Sequence, residues 1–198
     1  REGCVALTFD DGPNPRNTPA LLDVIAAKQI PVTFFVLGRY VRRFPDIVRR
    51  AFDEGHQIAN HTDRHVPMTL LPSNVLRQDV RRAERSIVEV TGRRPRFLRP
   101  PMGWFSHRTL DQIEELDYLP VIGSVHPQDS RQPRTEVILD RFRPRLTDGA
   151  IVILHDGGWR AHVDRSNTIE AVDRLTDELL ADGVRFLTLS QMVDPVSD

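Results

Sequence analysis

The chain has 198 residues, of which 39% are hydrophobic and 28% charged, and its formal net charge is −1 at pH 7. This length favours one domain over residues 1–198, and the balanced charge gives no field that would attract nucleic acid. No apolar stretch reaches the roughly 18 residues of a membrane span. The single cysteine, Cys4, excludes an internal disulfide and a cysteine-based zinc site.

Short apolar segments alternate with helical patterns along the whole chain. The patterns predict strands in CVALTF, VTFFVLG, HQIANH, RFLR, LPVIGSV, AIVILHD and RFLTLS. They predict helices over Asn17–Gln29, Pro45–Glu54, Ser73–Thr91, Ser106–Leu116, Arg134–Leu146 and Asn167–Asp182. Seven strands separated by helices predict an α/β fold with a parallel sheet rolled into a barrel, and an open doubly wound sheet is the alternative.

Two of the predicted helices carry clear boundary signals. Ser73 is expected to cap the third helix, in which apolar residues recur at spacings of three and four, and Gly92 is expected to end it. Ser106 is expected to cap the fourth helix in the same way.

The chemically versatile side chains follow the predicted strands. Because active sites of α/β barrels assemble at the carboxyl ends of the strands, we expect these residues to meet. They are Asp10 and Asp11 after the first strand, His61 and His65 after the third, Arg99 after the fourth, Asp129 after the fifth, and His155 and Asp156 at the end of the sixth.

Three of these residues have the character of metal ligands. His61 and His65, four residues apart, can converge on one ion if their segment is helical or tightly turned, and Asp11 adds a carboxylate. Two imidazoles and one carboxylate suit Zn²⁺, while Co²⁺, Ni²⁺, Fe²⁺ or Mn²⁺ can compete for the same ligands. The alternative is a pair of surface histidines, with the Asp-Asp-Gly-Pro string serving only as a turn.

The remaining residues suggest acid–base chemistry beside that ion. If Asp11 binds the metal, Asp10 is free to act as a base, and Arg99 is its expected ion-pair partner. His155 ends an apolar run, and Asp129 is expected to orient it through Nδ1. The alternatives are a surface arginine at Arg99 and a buried structural histidine at His155.

The motifs resemble those of the polysaccharide deacetylases of the NodB-homology type, carbohydrate esterase family 4. TFDDGP, HTDRH, RPPMG, VHPQDS and ILHD are similar to the five motifs of that family and occur in its order. The resemblance implies a distorted (β/α) barrel of about seven strands. It also implies one divalent metal on Asp11, His61 and His65, with Asp10 as general base, Arg99 as its partner, His155 as general acid with Asp129, and the Met102 backbone N–H at the oxyanion.

The implied activity is removal of N-acetyl groups from glycans that contain N-acetylglucosamine, of the chitooligosaccharide or peptidoglycan type. The alternatives are hydrolysis of acetyl esters such as acetyl-xylan or of small amides, and a non-catalytic glycan-binding protein. The resemblance further implies an extracellular or cell-envelope location. The abrupt start at Arg1 fits a targeting segment that has been removed, and the sequence leaves the oligomeric state open.

The chain departs from the family pattern at three positions. Met102 and Ser130 stand where aromatic residues are usual, and His126 stands where an aspartate is common. Loss of two aromatic walls is expected to widen the acyl pocket or weaken stacking on a sugar. Trp104, Phe105 and Trp159 lie close to the motif loops and can supply replacement surfaces, or they can serve only in loop packing.

Overall fold

A computed structural model of the chain describes residues 3–158 and 162–194, so Trp159 lies outside the described residues. Parallel strands form one sheet in this part of the chain. They are β1 Cys4–Gly12, β2 Thr33–Val36, β3 Gln57–Asn60, β4 Phe97–Leu98, β5 Leu119–Pro120, β6 Ala150–His155 and β7 Arg185–Phe186.

The sheet closes on itself as a distorted barrel. Its order is β5-β4-β3-β2-β1-β6, and β7 pairs with the first residues of β1. Beyond β5 the chain returns to β6, where Val125 forms a single parallel bridge with Val152. The prediction of a barrel built from seven parallel strands is therefore confirmed, and the open sheet is not formed.

Several predicted strands are shorter than expected, and the fifth and the seventh lose the most residues. The fifth, LPVIGSV, pairs with β4 only over β5, because the chain then turns toward β6. There Gly123 packs so closely on Ile153 that a Cβ added at residue 123 would lie 2.3 Å from Cγ1 of Ile153. The seventh, RFLTLS, pairs only over β7, because Thr188 caps a helix that begins at Leu189.

All but the last of the helices cover the outside of the barrel. Within the described residues the helices are α1 Asn17–Ala27, α2 Gly38–Arg43, α3 Pro45–Asp53, α4 Ser73–Thr91, α5 His107–Glu114, α6 Thr135–Phe142, α7 Ser166–Ala181 and α8 Leu189–Val193. The short helices α2 and α8 were not expected from the sequence patterns. None of the described helices combines the length and the apolar character that crossing a bilayer requires.

The predicted caps are confirmed at two of three positions. Ser106 and Thr109 form a reciprocal capping box at the start of α5, and Gly92 ends α4 in the left-handed conformation with φ of 69°. The expectation for Ser73 is wrong. It is the first residue of α4 and its side chain caps nothing, because Pro72 occupies the cap position and brings the chain in at a fixed φ.

The alternation of side chains along the strands separates two cores. Val5, Leu7 and Phe9 of β1 pack outward under the helices. Ala6 points into the barrel, where it packs with Phe35, Ala59, Phe97, Val121 and Leu189. Leu189 belongs to α8, so this helix fills the amino-terminal end of the barrel. Thr8 and Asp10 continue the inward column of β1 toward the carboxyl end, where the barrel interior becomes polar.

Candidate active site

A β-bulge ends β1 and places two adjacent carboxylates at one site. Asp10 pairs with Phe35 of β2 and Gly12 with Val36, so Asp11 is an extra residue in the strand, with φ of 71°. Neighbouring side chains of a regular strand point to opposite faces, and a bulge re-aims one of them. The two aspartates therefore lie within β1 instead of after it, and both face the carboxyl end of the barrel.

The structure brings the three expected metal ligands together. Oδ1 of Asp11 lies 3.4 Å from Nε2 of His61 and 3.1 Å from Nε2 of His65. One ligand atom from each residue lies within 4.8 Å of the others. Asp11 and His61 are buried, so the cluster forms the floor of the site and not an exposed surface pair.

A tight turn after β3, and not a helix, makes the two histidines converge. Thr62 and His65 have positive φ angles of 71° and 60°. The turn is held by hydrogen bonds from the Thr62 N–H to Oδ1 of Asn60 and from the His65 N–H to Oγ1 of Thr62. As a result, the two imidazole centroids lie 5.1 Å apart.

The surroundings of the cluster fit a divalent cation. Nδ1 of His61 lies 2.8 Å from the backbone carbonyl oxygen of Arg99, which accepts its proton and leaves Nε2 as a lone pair facing Asp11. Oδ1 of Asp11 is buried and has no hydrogen-bond partner among the described residues. A buried carboxylate oxygen beside imidazole nitrogens, with no donor between them, is costly unless a cation is shared.

The pKa of Asp11 also indicates a carboxylate. Burial alone raises the pKa of this group, but in the metal-free protein a proton on the imidazoles of His61 and His65 favours the carboxylate and holds the pKa of Asp11 well below its ordinary value. Asp11 is therefore ionised throughout the neutral range, as a metal ligand must be.

Asp10 is held by Arg99 inside the barrel. Nη1 of Arg99 lies 2.6 Å from Oδ1 of Asp10 and 2.7 Å from Oγ1 of Thr8. The guanidinium carbon lies 4.0 Å from the centroid of the Phe35 ring, so the cation is also stacked. Arg99 is buried and is not the surface arginine of the alternative interpretation.

His155 stands beside Asp10, across one pair of strands. The two residues are register partners in β1 and β6, so their side chains emerge side by side. Asp129 binds His155 twice, with Oδ1 2.9 Å from Nδ1 of the ring and Oδ2 accepting from the backbone N–H at 2.9 Å. Burial alone lowers the pKa of His155, but the charge and hydrogen bond of Asp129 raise it to about 9.

A second group of possible ligands, His126, Asp129 and His155, does not have the character of a metal site. Its ligand atoms also lie within 4.8 Å of one another. However, Oδ1 of Asp129 is occupied by His155, and Oδ2 accepts from the His155 N–H and from Oγ1 of Thr168. Both carboxylate oxygens are therefore satisfied without a cation. His126 is exposed, with its ring centroid 6.0 Å from that of His155.

Two buried residues that support the site were not assigned a role from the sequence. Asp156 accepts a hydrogen bond from Thr18. Its carboxylate fills the space beside Gly12, so that a Cβ added at residue 12 would lie 2.3 Å from Oδ2 of Asp156. Arg165 donates to the carbonyl oxygens of Gly157 and Asp129. Arg165 had no sequence signal that separated it from the other arginines. Asp156 was visible as the residue after His155.

A cavity of about 730 Å³ opens above the cluster, and Asp11 and His65 form part of its lining. Met102 and Ser130, two of the three departures from the family pattern, line the same cavity with Gln132 and Val163. Met102 lies in a 3₁₀ turn, Pro101–Gly103, with φ of 60°, and its side chain is exposed. The cavity wall here is therefore a flexible thioether and a small hydroxyl, not two aromatic rings.

Comparison with known proteins identifies the family. The family model for polysaccharide deacetylase matches residues 1–121. A peptidoglycan-N-acetylglucosamine deacetylase of Bacillus cereus is 34% identical over 194 residues, which cover 97% of this chain and 89% of that protein. The chain belongs to the polysaccharide deacetylase family.

Other polysaccharide deacetylases agree with this assignment. A chitooligosaccharide deacetylase of Bradyrhizobium is 35% identical and covers 95% of this chain and 90% of its own length. The crystal structure of the Bc1960 peptidoglycan N-acetylglucosamine deacetylase superposes with a TM-score of 0.92 at 30% identity, over 97% of this chain and 88% of that one. The barrel of this chain thus has the same fold as that solved structure.

Proposed function

We propose that this polysaccharide deacetylase is a metal-dependent hydrolase that removes N-acetyl groups from N-acetylglucosamine-containing glycans and releases acetate. One observation carries the proposal. The buried oxygen of Asp11, without a hydrogen-bond donor among the described residues, faces His61 and His65 directly beside the Asp10–Arg99 ion pair. Titratable groups that are buried and paired in this way at a cleft are typical of catalytic sites.

Asp11, His61 and His65 would hold the ion, and zinc suits two imidazoles and one carboxylate. The chemistry that such an ion supplies when bound is polarisation of the amide carbonyl and a lowered pKa of water. The backbone N–H of Met102 is proposed as an additional donor to the carbonyl oxygen.

Side chains of the protein carry out the proton transfers of the proposed reaction. Asp10 accepts a proton from the attacking water, and Arg99 orients the carboxylate for this step. Addition of water to the carbonyl carbon is followed by cleavage of the C–N bond. His155, protonated beside Asp129, delivers its proton to the departing nitrogen, so acetate and a free amine result. The register pairing of Asp10 with His155 supports this division of roles, because it places the proposed base and the proposed acid on neighbouring strands at the same level of the barrel.

The names of the relatives support an N-acetylated glycan as the substrate. The two relatives compared above are described as acting on peptidoglycan N-acetylglucosamine and on chitooligosaccharides. The cavity, with Met102 and Ser130 in its wall, leaves room for an ester-linked acyl group as well. Acetyl-xylan is therefore kept as a second substrate class.

The decisive experiment measures acetate release from acetylated chitooligosaccharides, peptidoglycan and acetyl-xylan, with and without a chelator. We expect release from the N-acetylated glycans, loss of release with chelator, and recovery when Zn²⁺ is restored. The Asp10→Asn variant, which keeps the ligand set, is expected to bind metal and release no acetate. Release from acetyl-xylan alone would replace the proposal by an esterase, and binding of glycans without release would replace it by a glycan-binding protein.

A further inference from the structure

The loop after β4 exposes two consecutive aromatic side chains. Trp104 is 53% exposed and Phe105 is 46% exposed. Every other Trp, Tyr or Phe in residues 3–158 and 162–194 is buried or half-buried. Single exposed apolar side chains are common on protein surfaces, but adjacent exposed aromatic side chains are typical of a ligand-binding surface.

The loop that carries these rings is held in place. It begins with Pro100 and Pro101, whose rings restrict φ, and ends at the capping box that Ser106 forms with Thr109. In the next helix, Arg108 donates a hydrogen bond of 2.6 Å to the carbonyl oxygen of Leu71, in the segment between the histidine turn and α4. The backbone that carries the aromatic pair is thus fixed at both ends of the loop.

The aromatic pair follows a residue of the cavity wall in the chain. Met102 precedes Trp104 by two residues, is itself 59% exposed, and lines the cavity together with Asp11 and His65. Met102, Trp104 and Phe105 are thus three exposed apolar side chains within four consecutive residues, which we call the ledge, and the first of them lines the cavity. The ledge has only three side chains, far fewer than the roughly 20–30 residues that a protein partner normally covers.

The geometry points to a carbohydrate-stacking subsite in which Trp104 and Phe105 hold a sugar ring next to the unit whose acetamide lies at Asp11, His61 and His65. This inference rests on the proposed function. A polymeric substrate has further sugar units that must leave the cavity along its rim. One face of a pyranose ring carries only C–H groups, which pack against the negative face of an aromatic ring, while the hydroxyl groups around the edge stay in water. We therefore expect the ledge to bind a neutral sugar ring.

The test compares substrates of increasing length. For the unaltered protein, kcat/KM on N-acetylglucosamine oligomers is expected to rise with chain length. Trp104→Ala and Phe105→Ala are each expected to lower kcat/KM on the long oligomers by about tenfold, mainly through KM, and to leave the shortest reactive oligomer unchanged. Trp104→Tyr keeps a stacking face and is expected to restore most of the loss. Leu180→Ala, an exposed apolar residue on α7 outside the cavity lining, is the matched control.

Measurements of oligomer binding distinguish a wrong assignment of the subsite from a wrong assignment of the deacetylase activity. Calorimetric titration of the unaltered protein is expected to show that the long oligomer binds more tightly than the short one. In the Trp104→Ala variant this difference in affinity is expected to disappear. Acetate release with the same length dependence in the Trp104→Ala, Phe105→Ala double variant would overturn the subsite and leave the proposed function intact. An equal loss on short and long oligomers, or loss of bound metal, would assign the two rings to loop packing. Absence of acetate release from these oligomers and from peptidoglycan would overturn the proposed function, and the calorimetric length dependence would then decide the subsite alone.

Discussion

Nδ1 of His61 lies 2.8 Å from the backbone carbonyl oxygen of Arg99, whose guanidinium contacts Asp10 at 2.6 Å. One residue thus orients a candidate metal ligand with its main chain and the candidate base with its side chain. The two functions are separable, because a substitution at Arg99 removes the guanidinium and keeps the carbonyl oxygen.

The Arg99→Lys variant tests that separation. The charge is retained, but the planar fork that reaches Asp10, Thr8 and the carbonyl oxygen of Val121 is lost. We expect kcat to fall by at least about tenfold while metal content stays near that of the unaltered protein. Metal content measured by elemental analysis and acetate release are the two readouts, and Arg93→Lys on the exposed surface is the control. Loss of metal together with activity would contradict the division between side chain and main chain.

Removal of an imidazole from the cluster is expected to weaken metal binding strongly. His61→Ala and His65→Ala should each lower zinc affinity by more than the roughly 10–100-fold that loss of an outer hydrogen-bond partner costs. His107→Ala, an exposed histidine at the start of α5, should leave affinity unchanged. Competition with a chromogenic chelator measures the affinities. If both cluster variants kept full affinity, the assignment of the ligands would have to be abandoned.

The Asp129–His155 pair should make stability depend on pH in a defined direction. The pKa of His155 is raised from 6.5 to about 9 in the folded, metal-free protein, with Asp129 as the cause that overcomes burial. Because the folded protein binds this proton more tightly than the unfolded chain does, the stabilisation is complete below about pH 6.5 and is lost between that value and about pH 9. Urea unfolding of the metal-free protein across this range measures the loss. The Asp129→Asn variant should show a flatter profile between the same limits.

The same pair sets the basic limb of activity. If His155 is the acid that protonates the departing amine, activity falls as this proton is lost at high pH. Asp129→Asn removes the charge that raises the pKa of His155, so the basic limb should move to lower pH by about 1–3 units. The pH dependence of kcat/KM on one oligomer checks this shift. An unmoved basic limb in an active Asp129→Asn variant would show that another group titrates there.

Gly12 and Asp156 should be energetically coupled. A Cβ at residue 12 would lie 2.3 Å from Oδ2 of Asp156, so Gly12→Ala should lower the free energy of unfolding by about 1–3 kcal/mol through overpacking. The cost should be much smaller in an Asp156→Ala background, where the obstructing carboxylate is gone. A double-mutant cycle by urea unfolding measures the coupling. Simple additivity of the two changes would show that the carboxylate of Asp156 is not what limits the space at residue 12.

Patterns that depend on near neighbours were readable from the sequence. The long helix α4, its end at Gly92 and the Ser106 cap follow from residues within a few positions of one another. The strands with continuous apolar runs, β1 and β6, were also recognised. The short strands β5 and β7 were overestimated, because pairing ends where Gly123 meets Ile153 and where Thr188 starts α8. The limit of β5 involves a residue distant in the chain, whereas the limit of β7 is a local capping box of Thr188 with Gln191 that the apolar pattern of RFLTLS concealed.

The sequence by itself determined which functional groups this protein brings to the carboxyl ends of its strands: two adjacent aspartates, the His61 and His65 pair, and Arg99, Asp129 and His155. Only the tertiary structure decided how they meet. The bulge that turns Asp11 beside Asp10 depends on register with β2, and the orientation of His61 depends on a carbonyl oxygen of another strand. The physical reason is that residue type and local periodicity are properties of short segments, whereas register and side-chain direction arise from contacts between segments far apart in the chain.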